Sequence, residues 1–302
     1  MRIRDILTRK DFDLTPSETR IAQVLLNEYP TSGLGTAKSL AKRAGVSDPT
    51  VIRLVTKIGF DGFADFRRQL LEEVEAGSRS PLMMMEAKRP AAKGRSVAEI
   101  YMRSVAEVVE AGANATLPRL YDRAVETIMD ARGHVLVLGG RFSRFVSGML
   151  AAHLTYFRSN IVSLSALSAE TFDMLLDLDE RDTLIVFDYR RYQMDVIRFA
   201  EQAADRGVSL VLFTDPYRSP IAAKAKVVIV APTEVSSPFD SLAAPVAQIE
   251  ALVAHIVAND SRANRSRSIR LEQVRAKNAV TLASSDGRGD PRASAAPKNK
   301  SG

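Results

Sequence analysis

Two hydrophobic periods divide this chain. From Asp13 to about Val74, apolar residues recur three and four positions apart, as on one face of an α-helix. Ile21, Val24, Leu25 and Leu26 mark one such face, Leu40, Ala41 and Ala44 a second, and Val51, Leu54, Val55 and Ile58 a third. A further helix is predicted over 63–74. The first opens on LTPSE, where Thr15 can cap, Pro16 suits the first helical position and Glu18 completes a capping box. Around the Gly59 and Gly62 turn, Phe60, Phe63 and Phe66 read as core wedges. The helical period resumes at Val97, through Ile100, Ser104, Val105 and Val108, and again through Leu120, Ala124, Ile128 and Met129, ending before Gly133.

Beyond Gly133 the pattern changes. Five short apolar runs follow, at 134–139, 161–165, 183–188, 208–214 and 226–231. Between most of them lie amphipathic helical stretches, including 145–157, 194–205 and 242–257. Short unalternating runs separated by helices predict a parallel sheet buried on both faces. The expected fold therefore has two domains. Residues 1–76 form an all-α helix-turn-helix domain, and 96–258 an α/β domain with a five-stranded parallel sheet covered by helices on both faces, flavodoxin-like. Residues 77–95, rich in Gly, Pro, Ser and basic residues, read as a linker, in which Met83, Met84 and Met85 pack loosely or, as the alternative, form a docking spot for a partner subunit. Residues 259–302 read as a basic, mostly disordered tail, disordered beyond about Val280. No internal repeat is present.

The stretch 36–58, TAKSLAKRAGVSDPTVIRLVTKI, carries the most specific chemistry. Gly45 sits where the chain must leave the first helix with positive φ, Ser47 is placed as an N-cap, and Pro49 falls in the first turn of the second helix. Small Ala41, Gly45, and apolar Val51 and Leu54 let two helices cross closely. The second helix then keeps one face free. Ser47, Thr50 and Arg53 on that face are candidate contacts to DNA bases or phosphates, and Lys57 and Lys38 candidate phosphate contacts. Asp48 is the only acid in the stretch.

Net charge adds less than it first suggests. The chain carries +6, but residues 262–302 hold ten Lys or Arg against three Asp or Glu, which leaves −1 for residues 1–261. The case for double-stranded DNA as partner thus rests on the local cluster from Lys38 to Lys57. The tail adds at most nonspecific attraction. With no cysteine there are no disulfides, thiolate metal sites or cysteine nucleophiles. No cofactor or metal is expected. The charged start MRIRDILTRKDFDL is unlike a signal peptide, and no apolar run approaches the roughly 20 residues of a bilayer span, so a cytoplasmic protein without a membrane partner is expected.

In a parallel sheet, ligands bind beyond the C-terminal strand ends. After the first strand come Gly139, Gly140, Arg141, Phe142 and Ser143, a small-residue turn into a helix whose backbone N–H groups suit an anion. After the third come Asp188, Tyr189, Arg190, Arg191 and Tyr192, where two guanidiniums can grip phosphate or carboxylate. Gly139, Gly140, Arg141, Ser143, Asp188, Arg190 and Arg191 are the candidate ligand residues; the arginines could instead serve ion pairs or subunit contacts.

With LTPSETRIAQVLL and SLAKRAGVSDPTVIRLVTKIGFDGFADFRRQL in view, the chain resembles the RpiR/MurR-type bacterial transcription regulators over residues 5–258. In that family a helix-turn-helix precedes a sugar-isomerase (SIS) domain. The resemblance implies a homodimer or homotetramer on an operator with paired half-sites, responding to a small metabolite, often a phosphosugar. The family's Gly-x-Gly-x-Ser turn survives as Gly139 and Ser143 with Arg141 in place of the middle glycine. Its Ser-x-Ser-Gly-x-Thr cradle reads Asp188, Tyr189, Arg190, Arg191, Tyr192 and Gln193, with all three hydroxyl residues gone. A more acidic effector is one consequence, and a pocket whose arginines serve assembly the other. FTDPYRSPIAAKAKVVIV follows the family pattern.

Three functions compete on this sequence. The first is a ligand-responsive DNA-binding regulator, which is not an enzyme. The second is a sugar-phosphate isomerase or lyase, whose nearest candidate bases would be Glu234, His134 and His255, none in a recognisable catalytic constellation. The third is an oligomeric DNA-binding protein that senses nothing.

Overall fold

The computed structural model of the chain describes residues 3–7, 13–27, 29–78, 85, 96–259 and 262–280. In the N-terminal part, helices α1 (Ile3–Leu7), α2 (Pro16–Asn27), α3 (Ala37–Ala44), α4 (Asp48–Lys57) and α5 (Phe63–Ser78) surround one core. Ile21, Leu25, Leu40, Leu54, Phe66 and Leu70 are among its fully buried members, so the apolar stripes meet as their spacing requires. Phe66 lies between Phe60 and Phe63, with ring centroids 5.6 Å from each.

Local chemistry sets the helix ends. Thr15 and Glu18 form the expected reciprocal cap: the Thr15 N–H donates to Glu18 Oε2 (2.9 Å) and the Glu18 N–H to Thr15 Oγ1 (3.4 Å). α3 begins with a second box, Thr36 with Ser39, which the sequence reading did not anticipate because serine replaces the usual Glu or Gln. It ends at Gly45, whose φ of 62° and ψ of 42° are left-handed, while the Val46 N–H reaches the Ala41 carbonyl (3.0 Å).

The α/β domain opens with α6 (Val97–Ala115) and α7 (Pro118–Met129). Five parallel strands follow: β1 (Val135–Gly139), β2 (Ile161–Leu164), β3 (Thr183–Phe187), β4 (Ser209–Thr214) and β5 (Val227–Val230). Their order is β2-β1-β3-β4-β5. Each lies within one residue at either end of its predicted run. α8 (Ser143–Leu154), the short α9 (Ala169–Asp173), α10 (Met194–Asp205) and α11 (Ala243–Ala258) connect or follow the strands.

Alternate strand residues face opposite ways and both sets are buried. Val135, Val137, Ile185, Phe187, Val211 and Phe213 pack with Ala124, Ile128, Leu150, Ile249 and Leu252 of α7, α8 and α11. Leu136, Leu138, Leu184, Val186, Leu210 and Leu212 pack with Val196, Phe199 and Ala200 of α10. Each such side chain contributes about 1.5–3 kcal/mol by leaving water. With both faces occupied, chemistry is confined to the strand ends.

Two boundaries differ from expectation. α5 continues to Ser78; of the rest of the 77–95 linker only Met85 is described, and it is exposed, so the reading of Met83 and Met84 lies outside the described residues. The tail, read as mostly disordered with disorder beyond about Val280, begins with a helix that the sequence reading did not place, α12 (Arg262–Lys277). Its run lacks Gly and Pro, and it is held to the end of α8: Arg267 Nε donates to the Thr155 carbonyl (2.8 Å) and Ser268 Oγ to that of Tyr156 (3.0 Å). Expected disorder after Val280 lies outside the described residues. Among the described residues no helix is long and apolar enough to cross a membrane.

Two glycines should respond to alanine with opposite signs. An added Cβ meets nothing within 4 Å at Gly45 or at Gly148, but Gly45 is left-handed whereas Gly148 lies within α8. Gly45→Ala should destabilise the helical domain by about 1 kcal/mol. Gly148→Ala should stabilise the α/β domain by about 0.4–1 kcal/mol. Chemical denaturation of the full chain reads both.

Candidate functional site

The first candidate surface lies on α4. Burial of Val51, Leu54 and Val55 on one side turns Arg53 outward, with half-buried Thr50 one turn before it. The Ser47 hydroxyl does not cap α4 as expected; its Oγ lies 2.9 Å from Thr50 Oγ1, and Arg53 Nη2 donates to Thr50 Oγ1 at 3.4 Å. Two hydroxyls and a guanidinium thus form one exposed polar row, the arrangement a major groove accommodates. Lys38 and Lys42 are exposed on α3.

Lys57 is placed differently. Instead of projecting to a phosphate, its Nζ turns back to Glu18 (2.8 Å) and the Asp13 carbonyl (2.5 Å), tying α4 to the start of α2. Burial pushes the Glu18 carboxyl up, but Lys57 and Thr15 outweigh it and hold the group below its ordinary range. The helical period placed Lys57 on the outer face; a distant acid then claimed it.

The second candidate is a cleft of about 650 Å³ over the C-terminal ends of β1 and β3. It lies where chain direction along the sheet reverses, since β1 leads to β2 on one side and pairs with β3 on the other. The turn after β1 needs its glycine: a Cβ on Gly139 would lie 2.5 Å from the backbone N of Arg144. Buried Ser143 fastens the turn to β3, its Oγ accepting from the Gly140 N–H (2.8 Å) and donating to the Phe187 carbonyl (2.6 Å). The Arg141 N–H donates to the Gln193 side-chain oxygen. The N–H groups of Gly140 and Arg141, expected to await an anion, are therefore already engaged. What this turn offers the cleft is the Arg141 side chain, which lies over the Phe142 ring (5.0 Å).

Two buried carboxyls underlie the loop after β3. Asp188 Oδ2 accepts from Ser219 Oγ (2.5 Å), while its carbonyl accepts from Thr214 Oγ1 (2.7 Å). Burial pushes the Asp188 carboxyl up to about 7, against the opposing pull of Ser219 and the Gln193 backbone, and neighbouring Asp215 adds to the rise. Asp215 accepts from the Arg190 N–H, from Tyr192 Oη (2.9 Å) and from the Tyr217 N–H (2.7 Å). Burial raises it too, despite those donors. Burial and the facing Asp215 push the Tyr192 hydroxyl well above its ordinary range.

The two arginines after β3 part company. Arg190 is buried, with 5% of its side chain exposed, and its guanidinium forks onto Asp240: Nε to Oδ2 at 2.6 Å and Nη2 to Oδ1 at 2.5 Å. Burial opposes its charge and Asp240 more than restores it, so the guanidinium's affinity for its proton rises. Arg191 is exposed at the cleft. Neither Arg141 nor Arg191 forms an ion pair with another described residue.

All seven sequence-predicted ligand residues meet at or beneath this cleft, but Ser143, Asp188 and Arg190 are occupied within the protein. Asp215, Ser219, Gln193 and Asp240 were missed. Asp215 ends FTD at the close of β4, so the strand-end rule would have reached it; Asp240 lies in an irregular connection with no such signal. Two of the candidate bases lie elsewhere: His134 Nδ1 is 3.5 Å from Asp182 at the N-terminal edge of the sheet, and His255 Nε2 is 2.8 Å from Asp122 between α11 and α7. Exposed Glu234 lies in the β5–α11 connection.

Residues 1–77 match the family model described as the helix-turn-helix domain of the rpiR family, and residues 127–255 the model of the SIS domain. The HTH-type transcriptional regulator HexR of Pseudomonas aeruginosa is 26% identical over 220 residues, 70% of this chain and 72% of the relative. An uncharacterised HTH-type transcriptional regulator of Haemophilus influenzae is 24% identical over 218 residues, covering 72% and 75%. Among solved structures, the sugar isomerase domain of an RpiR transcription factor from Sphaerobacter thermophilus aligns with a TM-score of 0.56 at 26% identity, over 59% of this chain and 99% of that one. The Vibrio vulnificus NanR protein, complexed with ManNAc-6P, aligns with a TM-score of 0.52 at 16% identity, over 91% and 98%.

The buried carboxyl supplies a pH prediction. Because Asp188 holds its proton up to about 7 in the folded chain but only to about 3.8 unfolded, its contribution to stability falls as pH rises through that window. Asp188→Asn removes this titration, so the variant should gain on the parent between about pH 4 and pH 7. Denaturation midpoints at pH 5 and pH 8 measure it; parallel profiles would mean that Asp188 ionises normally.

Proposed function

We propose, for a chain that belongs to the RpiR-type helix-turn-helix regulators carrying a SIS domain, that α4 reads an operator and that the cleft over β1 and β3 senses a small acid. Lys38, Ser47, Thr50 and Arg53 make the DNA contacts in this reading. The observation that carries the DNA half is the exposed row of Ser47, Thr50 and Arg53 on a helix whose other side is wholly buried. The sensing half is supported by Arg141 and Arg191 at a switch-point cleft, and by the phosphosugar complex of NanR in the same fold. Without the hydroxyl cradle, charge rather than a set of neutral hydrogen bonds selects the ligand here.

The protein acts as a homodimer or homotetramer in this reading, so that two α4 helices meet paired half-sites in the cytoplasm. The acid regulates because it binds two subunit arrangements unequally, and only that inequality can move operator affinity. It is not a catalyst: His134 and His255 stand away from the cleft, and Asp188, though it titrates near neutrality, is 2% exposed and held by Ser219.

Genome-wide mapping of bound DNA would give the operator. On it, Arg53→Ala should lower affinity about tenfold to a hundredfold, the ~1–3 kcal/mol expected for a well-placed arginine contact. Lys57→Ala should act mainly through stability of the helical domain. A purified protein that prefers its own promoter no more than random DNA would end the regulator reading. Turnover of any sugar phosphate would revive the isomerase.

A further inference from the structure

Arg190 is the most enclosed cation at the cleft, yet the group it holds is supplied by the chain itself. Asp240 lies in the connection between β5 and α11, from which Thr233, Pro238, Phe239 and Asp240 line the cleft opposite the β1 turn. The Ser241 N–H donates to the Thr233 carbonyl (2.8 Å), closing that connection into a loop. The loop is tied outward as well. The Ser236 N–H donates to Ser104 Oγ (3.1 Å), and the two hydroxyl oxygens lie 2.9 Å apart. Ser104 belongs to α6, the first helix of the α/β domain after the segment that leads from the helical domain.

We propose that Asp240 is an internal counter-anion that sets the cleft's selectivity: an entering acid must replace it on Arg190, and the replacement releases the 233–241 loop and its hold on α6. This rests on the reading of the cleft as an anion site. The Tyr217 ring lies 5.1 Å from the Arg190 guanidinium, but Asp240 is what fills its Nε–Nη2 edge. Leaving that edge of a buried guanidinium unpaired is costly, so Arg190 gives up Asp240 there only to another anion able to fill the same two-pronged edge. Neutral compounds therefore leave the loop in place. A single negative charge only exchanges one carboxylate for another. A second charge gains Arg191 and Arg141 at the same cleft, so the favoured ligand is a compact dianion, a phosphate monoester or a dicarboxylate. The equilibrium between the closed loop and the replaced one lowers apparent affinity by the fraction of time that Arg190 is open. Asp240 is in this sense a specificity determinant, and the Ser236–Ser104 link is the physical route by which its displacement reaches the start of the domain.

Inorganic phosphate and succinate serve as probes for the two acid types, titrated into the full chain at constant ionic strength and followed by calorimetry. Asp240→Asn should bind at least one of them about tenfold tighter than the parent, since the closed state no longer competes. Arg191→Ala should weaken binding in either background. In the parent chain, saturating probe should raise hydrogen–deuterium exchange across 233–241 and in α6 near Ser104, a measurement that needs no variant to fold. If parent and Asp240→Asn bind equally, Arg191→Ala still weakens both and exchange at 233–241 is unmoved, Asp240 is a structural partner only; the anion site then stands and the gate does not. If neither probe binds parent or variant, the anion-site reading falls and the gate with it.

Discussion

The loop after β3 takes its shape from a buried carboxyl. Asp215, at the end of β4, has no water to solvate it and recruits the Arg190 and Tyr217 N–H groups and the Tyr192 hydroxyl. Those bonds fix the backbone at Arg190 and the ring at Tyr192, and so decide which arginine points inward and which toward the opening. Asp188, one strand over, does the same through Ser219 and so joins β3 to the segment after β4. The cleft is thus a consequence of satisfying two acids at the ends of a sheet whose faces are already full of hydrocarbon.

The helical domain obeys a simpler version of the same rule. Its polar groups are satisfied locally, by the Thr15–Glu18 and Thr36–Ser39 boxes and by the left-handed turn at Gly45. The long-range exceptions are two acids: Glu73 of α5, which accepts from the Ile3 N–H (3.1 Å) and from the Tyr29 hydroxyl, and Glu18, which caps its own helix and also holds Lys57 of α4. That double use of Glu18 fixes α4 against α2, and among the described residues the side chains of Ser47, Thr50 and Arg53 on the other polar face of α4 bond only within their own row.

The sequence made the helices and strands legible because each buried element carries its period openly: three to four residues in the helical part, continuous runs in the sheet. Strand ends were legible by the same logic, and they located Gly139, Ser143, Asp188 and Arg190. Side-chain pairing was less so. Lys57 read as an available cation, and Arg190 as either a ligand grip or an ion pair of unnamed partner, because their neighbours in sequence are not their neighbours in space; Glu18 lies 39 residues from Lys57 and Asp240 50 residues from Arg190. α12 was read as tail because its composition is basic and polar, although what orders it is contact with the carbonyl end of α8, which no composition displays.

The pairing of Arg190 with Asp240 also explains how an arginine can stand where the Ser-x-Ser-Gly-x-Thr pattern of the family that the sequence resembles would place a serine. A cradle of serines and threonines is neutral when empty and can turn to water. A buried guanidinium has no such resting state, since an uncompensated charge in a low-dielectric cleft is strongly unfavourable. Placing Arg190 at the end of β3 therefore requires an acid nearby, and the β5–α11 connection is the segment that overhangs that strand end. Arg190 and Asp240 thus form one unit: if the cleft is the anion site proposed above, the guanidinium supplies its grip, and Asp240 keeps that grip satisfied when the cleft is empty. Under that proposal any occupant is measured against a carboxylate rather than against water, which raises the threshold for binding and narrows the set of compounds that cross it.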